Sequence, residues 1–279
     1  MTQEIPIAEL STTITHIADL FPGPQLAMVV ASIAEGHTAG RLWQTGDCVL
    51  LWDQGNNVLY LASTSQNARS QAALADLIDG QIRVASVASG RARFKVRALS
   101  ADLDAAIERL FQHVELHELP ELFLSYDHQT PPVVAKPLLH GLSYELIDRQ
   151  LLEHGDVENI AALCKEIAWM WPNSERFVQY GFGSAALLDR KVVCWCTAEY
   201  MSSQMCGVGI TTDPAYEHQG IATATAAHFI AECLKRAVRP YWECAAHNSA
   251  SKRVAQKLGF TLIEQAVFRV GVFSNAQPD

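Results

Sequence analysis

The run Pro214-Ala215-Tyr216-Glu217-His218-Gln219-Gly220-Ile221-Ala222-Thr223 follows a strand-like segment at 206–212 and leads into a long alanine-rich helix that ends near Arg239-Pro240. A strand, a polar loop with a glycine and a helix start together form an anion cradle. The first N–H groups of a helix have no acceptor within it, and the helix dipole favours negative charge there. Gly220 lets the main chain approach a ligand without a Cβ in the way, and Ala222 keeps the first turn thin. His218 and Gln219 add side-chain donors, and a pyrophosphate is the group that suits such a loop. The same junction elsewhere merely turns a chain, so the loop alone does not decide the matter.

A second group of polar residues lies about thirty positions on. Glu243 sits on a strand spanning 241–245, and His247 and Asn248 form the polar turn before a helix over 249–258. A histidine, whose pKa lies near neutrality, suits the acceptance of an ammonium proton. The alternative is that Glu243 pairs with a cation and His247 caps the helix or faces solvent. Trp242, Trp169, Trp171 and Phe177 suit either core packing or the wall of a pocket. Glu199 and Tyr200 close a strand before Ser202-Ser203-Gln204, where they form a solvated turn or hold a cationic substrate. His218 has no partner at metal-ligand spacing, so no metal is expected.

The elements that must position these groups read as mixed α and β throughout, an α/β (α+β) fold. In the first part the pattern predicts a helix over 7–19, a strand over 26–32, a strand over 39–44, and a hairpin of 49–52 with 58–61 around Asp53-Gln54-Gly55-Asn56-Asn57. A helix over 68–79, a second hairpin of 83–88 with 92–99 about Ser89-Gly90, and a helix over 103–117 follow. Pro131-Pro132 marks 126–136 as the linker, because consecutive prolines end both helix and sheet. Two domains result, 1–140 and 141–279. In the second, helices over 157–167 and from Ser174 precede strands over 184–188 and 192–199, joined by Asp189-Arg190-Lys191.

Two motifs in this order resemble the GNAT superfamily of acyl-CoA-dependent N-acetyltransferases. The family pattern [Q/R]-x-x-G-x-[G/A] falls on Glu217-His218-Gln219-Gly220-Ile221-Ala222, and the downstream asparagine, short helix and Gly-Phe fall on Asn248-Ser249-Ala250-Ser251 and Leu258-Gly259-Phe260. Glu166-Ile167, Trp171, Ser174-Glu175-Arg176-Phe177, Gly181-Phe182-Gly183 and Val193-Cys194-Trp195-Cys196 are similar to a bacterial two-part subfamily, well over about 145–270 and faintly before it. The resemblance implies a mixed central sheet splayed between its fourth and fifth strands. It implies acetyl-CoA as co-substrate, pantetheine along Ile210, Thr211 and Thr212, pyrophosphate on His218, Gln219, Gly220, Ile221, Ala222 and Thr223, and Asn248 and Ser251 near the cofactor arm. With one intact cofactor loop for two domains' worth of chain, the first domain reads as a non-catalytic α+β or degenerate GNAT-like domain that covers the acceptor side or completes the pocket at the domain interface. Three positions depart from the pattern: Glu217 stands where Gln or Arg is usual, Ala255 where relatives carry a tyrosine acid, and Gly207 where many carry a glutamate base. They leave Glu243 and His247 as the catalytic candidates and keep open a CoA-binding sensor without turnover.

Composition narrows the partners. The chain is 279 residues long, 49 % hydrophobic and 18 % charged, with a formal net charge of −9. That is ordinary for a core-forming protein and gives no electrostatic support for nucleic-acid binding. A small-molecule amine is the expected acceptor, and a homodimer is an open option. Neither a signal peptide nor a bilayer-length apolar run is evident, so a cytoplasmic location without membrane association is expected. The seven cysteines lack paired spacing and read as reduced, with Cys194 and Cys196 on one strand face as small buried groups.

Overall fold

The computed structural model describes residues 2–6, 20–134 and 139–274. The helix expected over 7–19 lies outside them. The chain divides into two compact units, Met1–Pro120 with Ala266–Asp279, and Glu121–Gln265. This division lies some way before the expected position near 140, because the strand that ends at Ser125 hydrogen-bonds with a strand of the second unit. The last strand returns to the first unit, a connection that no linker composition signals.

In the first unit, β1 (Thr2–Ile5), β2 (Gly40–Thr45), β3 (Cys48–Asp53) and β4 (Val58–Ser63) form an antiparallel meander. Helix α1 (Pro24–Ala34) precedes β2. After β4 come α2 (Ala68–Leu77), a π-helical turn (Ile78–Arg83) and α3 (Val84–Ala88). β5 (Arg93–Ala98) then runs parallel to β4, and α4 (Ala101–Leu110) follows. The chain's last strand pairs antiparallel with β5 from Arg269↔Val96 to Val272↔Arg93.

Two expectations fail here for identifiable reasons. Residues 26–32 are helical, not a strand. Leu26, Met28, Val29, Val30 and Ile33 are all buried, and an element buried on most of its faces carries no helical periodicity to read. The informative signal was Pro24 in the first turn, where proline favours a helix start. Residues 83–88 are helical rather than a hairpin strand. Gly90, at φ 73°, ends that helix, with Arg91 N–H donating to the Ser86 carbonyl at 2.9 Å.

The helix expected over 103–117 ends early, at Leu110, and β6 (His117–Ser125) follows, its residues from Glu121 onward opening the second unit. β7 (Ser143–Leu146), α5 (Arg149–Leu152), α6 (Ile160–Met170), α7 (Ser174–Tyr180), β8 (Gly183–Leu188), β9 (Lys191–Glu199) and β10 (Met205–Thr212) follow. After a 3-10 turn (Pro214–Tyr216) come α8 (Ile221–Lys235), β11 (Arg239–Ala245), α9 (Ser249–Leu258) and β12 (Thr261–Val272). β7 to β10 pair antiparallel, β11 lies parallel to β10, and β6 closes antiparallel on β11.

The core of this unit packs α8 against one face of the sheet. Ala226, Ala227, Phe229, Ile230 and Cys233 of the helix meet Cys196, Ala198, Cys206, Val208, Trp242 and Cys244 of the strands. Cys194 and Cys196 are buried as expected. Burial pushes their thiols above the ordinary range, and all seven cysteines are free. Among the described residues no helix is long and apolar enough to cross a membrane, and no group of residues is arranged to hold a metal.

In the first unit Phe94 stacks on Phe111 and on Phe273 at 5.3 and 4.0 Å between ring centroids. Phe94→Ala is therefore expected to lower the unfolding free energy by roughly 3–5 kcal/mol, read from urea denaturation. A loss below about 1 kcal/mol would show that this aromatic cluster does not hold the unit together.

Candidate active site

β10 pairs with β11 only at Met205↔Arg239, Cys206↔Pro240 and Gly207↔Tyr241, whereas its register with β9 runs from Gly207↔Glu199 to Thr212↔Cys194. Past Gly207 the two parallel strands part. The edge of β10 at 208–212 turned away from β9 has no strand partner among the described residues. A cavity of about 450 Å³ opens there, between Ile210 and Thr212 of β10 and Trp242 of β11. Tyr216, Glu217, His218, Gly220, Ile221 and Ala222 enclose it from the loop side, and Asn248, Ser251, Arg253 and Lys257 from α9 and its cap.

The loop is held from below by one ion pair. Lys191 Nζ lies 2.8 Å from Asp213 Oδ2, Asn159 donates to the same oxygen at 3.1 Å, and Asp213 Oδ1 accepts the Ala215 N–H at 3.0 Å. Lys191 is the first cause that holds the Asp213 carboxyl below its ordinary range. The Lys191 ammonium also lies over the Tyr216 ring, 5.1 Å from its centroid. The chain then passes through left-handed conformations at His218 (φ 60°) and Gly220 (φ 82°) into α8. Gly220 caps that helix with no side-chain acceptor, and a Cβ built on it would meet no atom within 4 Å. The helix's first N–H groups therefore open onto the cavity, a donor set that fits an anion.

The anticipated residues separate into groups. Ile210, Thr212, His218, Gly220, Ile221, Ala222, Thr223, Asn248 and Ser251 line the cavity. Asn248 Oδ1 is occupied in accepting the Ser251 N–H at 3.1 Å, and Ser251 Oγ accepts the Trp242 indole N–H at 2.9 Å. Trp242 thus serves both the core and the cavity wall. Gln219 is not among the lining residues, and its side-chain amide lies 3.5 Å from the Ala215 carbonyl. Thr211 turns to the other face of the sheet, where its hydroxyl donates to Glu166 Oε2 at 2.9 Å. Glu243 alternates with Trp242 along β11 and so faces away from the cavity, and His247 is exposed in the turn beyond. Neither lines it.

Two features were overlooked in the sequence. Arg253 and Lys257 lie four apart on α9, on the face toward the cavity, and neither has an ion-pair partner among the described residues. Their i, i+4 spacing behind the Asn248 cap was the available signal. Glu166 on α6 is the second omission. It is partly buried, which pushes its carboxyl above the ordinary range against the opposing hydrogen bond from Thr211. The indole N–H of Trp195 lies beside the same carboxylate, short of hydrogen-bonding geometry. Glu199 is half-buried and Tyr200 is buried, which corrects the solvated turn expected there.

The first unit repeats this strand arrangement without the opening. β4 and β5 stay paired from Val58↔Lys95 to Leu61↔Ala98, and Leu99 N–H continues to the Leu61 carbonyl at 2.8 Å. The helix that follows β4 is capped by the Asn67 side chain, which accepts from Arg69 and Ser70 N–H. The donors that stand open at Gly220 are consumed there by the protein.

A meander of antiparallel strands, a parallel pair parted at one end and a glycine-capped helix at the gap define an acyltransferase-type fold. The GNAT acetyltransferase family model matches residues 18–267, and the chain belongs to that family. It is 28 % identical over 180 residues to the uncharacterized N-acetyltransferase YdfB of Bacillus subtilis, covering 64 % of this chain and 67 % of that one. Its fold is similar to a GCN5-related N-acetyltransferase-like protein from Streptococcus suis, with a TM-score of 0.66 at 20 % identity over 94 % of this chain and 99 % of that one. It is also similar to a tandem GNAT protein from the clavulanic acid biosynthesis pathway, with a TM-score of 0.56 at 13 % identity over 99 % and 100 %.

Since Gly220 has open space but a left-handed backbone, Gly220→Ala is expected to cost about 1–2 kcal/mol through conformation alone. Chemical denaturation measures it, and an unchanged midpoint would mean that the cap does not require glycine.

Proposed function

We propose that this chain transfers the acetyl group of acetyl-CoA to the primary amine of a small molecule, using one site in the 121–265 unit. The observation that carries the reading is the meeting of two features in one cavity, the parted β10–β11 pair and the open N-terminus of α8. In this reading the main-chain N–H groups of 218–223 hold the pyrophosphate. The free edge of β10 at Ile210 to Thr212 pairs with the pantetheine amides as an added strand would. Arg253 and Lys257 supply the positive charge that the phosphates need, and Asn248 and Ser251 border the cofactor arm.

Acetyl-CoA supplies an activated thioester when bound. The chain's own residues align it, exclude water and leave the amine to be deprotonated. Glu217 lines the same cavity, with its carboxylate 3.9 Å from His218 Nε2. The acidic balance of the chain suits a cationic acceptor. The reading of a CoA-binding sensor rests on Glu217, on Gly207 and on Ala255, which is fully buried and offers no acid.

Equilibrium dialysis is expected to give one equivalent of CoA per chain, and two equivalents would overturn the single site. Gly220→Glu is expected to abolish binding. Lys257→Ala and Arg253→Ala are each expected to weaken it several-fold, more at low than at high ionic strength, as screened charge requires. A thiol-release assay with acetyl-CoA and a panel of primary amines separates enzyme from sensor, because the sensor binds without turnover above hydrolysis.

A further inference from the structure

Resting on that reading, we propose that the face of the second unit's sheet opposite the cradle is the acceptor's ammonium site, and that Glu166 takes its proton. Alternation along β10 sends Ile210 and Thr212 to the cavity and Gly207, Gly209 and Thr211 to the other face. The register across β9 places Glu199, Thr197 and Trp195 beside those three. α6 lies over this face through the Thr211–Glu166 hydrogen bond at 2.9 Å.

Three observations mark the face as a site. The first is that β10 carries no side chain at Gly207 and Gly209, where it leaves β11. A Cβ on Gly209 would collide with the Glu199 carboxyl and stand 3.0 Å from Thr197 Oγ1, so the absent side chain is what gives that carboxylate its place. The second is Trp195, 5 % exposed, whose indole N–H lies beside the Glu166 carboxylate and so reports on whatever that carboxylate binds. The third is Glu166 itself. It is partly accessible, it receives one hydrogen bond from Thr211, and as a carboxylate it keeps further lone pairs for a cationic donor.

The charged neighbours leave this carboxylate without a competing cation. On β9 the titratable groups are Lys191, which is bound to Asp213, Cys194, Cys196 and Glu199, on β10 only Cys206, and Glu243 of β11 lies on this same face. On α7 Glu175 is bound to Arg149 and Arg176 lies over the Tyr180 ring. On α5 Arg149 is shared between Glu153 and Glu175, and on α6 Lys165 is exposed. Burial without a cation raises the proton affinity of Glu166 above that of an ordinary carboxylate, as a base working near neutral pH requires.

The transfer balances. Glu166 Oε takes one proton from the ammonium, and the freed nitrogen lone pair forms the C–N bond to the thioester carbonyl carbon. The C–S bond breaks, and the thiolate leaves with its electron pair and takes the second nitrogen proton. Glu166 returns its proton to solvent. The products are an amide, CoA thiol and one released proton.

The test uses the full chain with CoA bound, Glu166→Gln and Thr211→Val variants, and the Trp195 indole N–H resonance in 15N-labelled protein. Methylammonium chloride is the probe, and sodium chloride at equal ionic strength is the control. Methylammonium is expected to shift the Trp195 signal in the wild type and not in Glu166→Gln, which keeps wild-type CoA affinity and an equal or higher melting temperature. On an amine turned over by the wild type, Glu166→Gln is expected to lower kcat/KM roughly 10²–10⁴-fold and to remove the acidic limb, because the ionised carboxylate is the active form. Thr211→Val, which leaves the carboxylate less well oriented, is expected to move that limb further up in pH. No methylammonium shift in the wild type, or an identical one in Glu166→Gln, overturns the proposal. Loss of CoA binding in Glu166→Gln also overturns it, since the residue would then support the cofactor slit. Failure of the wild type to bind CoA defeats the acyl-transfer reading itself.

Discussion

Two parallel strands can stand open at one end only if each is held firmly from its other side. In the second unit β10 keeps six residue pairs with β9, and β11 keeps five with β6, from Tyr241↔Ser125 to Ala245↔Glu121. The open edge of β10 leaves backbone donors and acceptors that need a partner from water or a ligand. α8 offsets that loss by packing alanines and Phe229 against the strands on both sides of the opening. The site's other requirement, an uncapped helix start at the same gap, depends on the Lys191–Asp213 pair that aims the loop.

The strongly punctuated part of this arrangement was legible in the sequence. Gly220, Asn248 and Gly259 mark helix ends through their own chemistry, so the start of α8 and both ends of α9 fell where expected, whereas α8 ends at Lys235 rather than near Arg239-Pro240. What could not be read was whatever depends on a partner distant in the chain. Thr211 looked equivalent to Ile210 and Thr212, and only the register with β9 shows that it faces α6. Glu243 looked well placed beside Trp242, but that adjacency is what sends it to the other face. Helix α1 was misread because full burial erases the periodicity that separates helix from strand. The unit boundary was misread because β6 and β12 pair according to sheet edges, about which proline content says nothing.

The two units are a controlled comparison inside one chain. Both contain an antiparallel meander, a helical crossover and a parallel strand, and in each an antiparallel strand lies on the far side of that parallel strand. They differ in whether the parallel pair closes and in whether a side chain caps the crossover helix. The Asn67 side chain accepts two N–H groups where Gly220 has no side-chain acceptor. The fold is therefore compatible with both states, and function resides in a few residues that decline to complete the protein's own hydrogen bonding.

Glu166 illustrates the same economy in charge. A carboxyl whose folded pKa is raised favours the fold most fully when protonated, below its unfolded pKa. That contribution is lost as pH rises from the unfolded value through the raised folded one. Near neutral pH the ionised group therefore works against stability, and a glutamine of the same shape would escape the penalty. Thr211 offsets part of that cost with a hydrogen bond, but no neighbouring cation removes it. An arrangement that keeps a carboxylate desolvated and unneutralised beside the parting of two strands is poorly suited to holding the fold together, and well suited to receiving a proton.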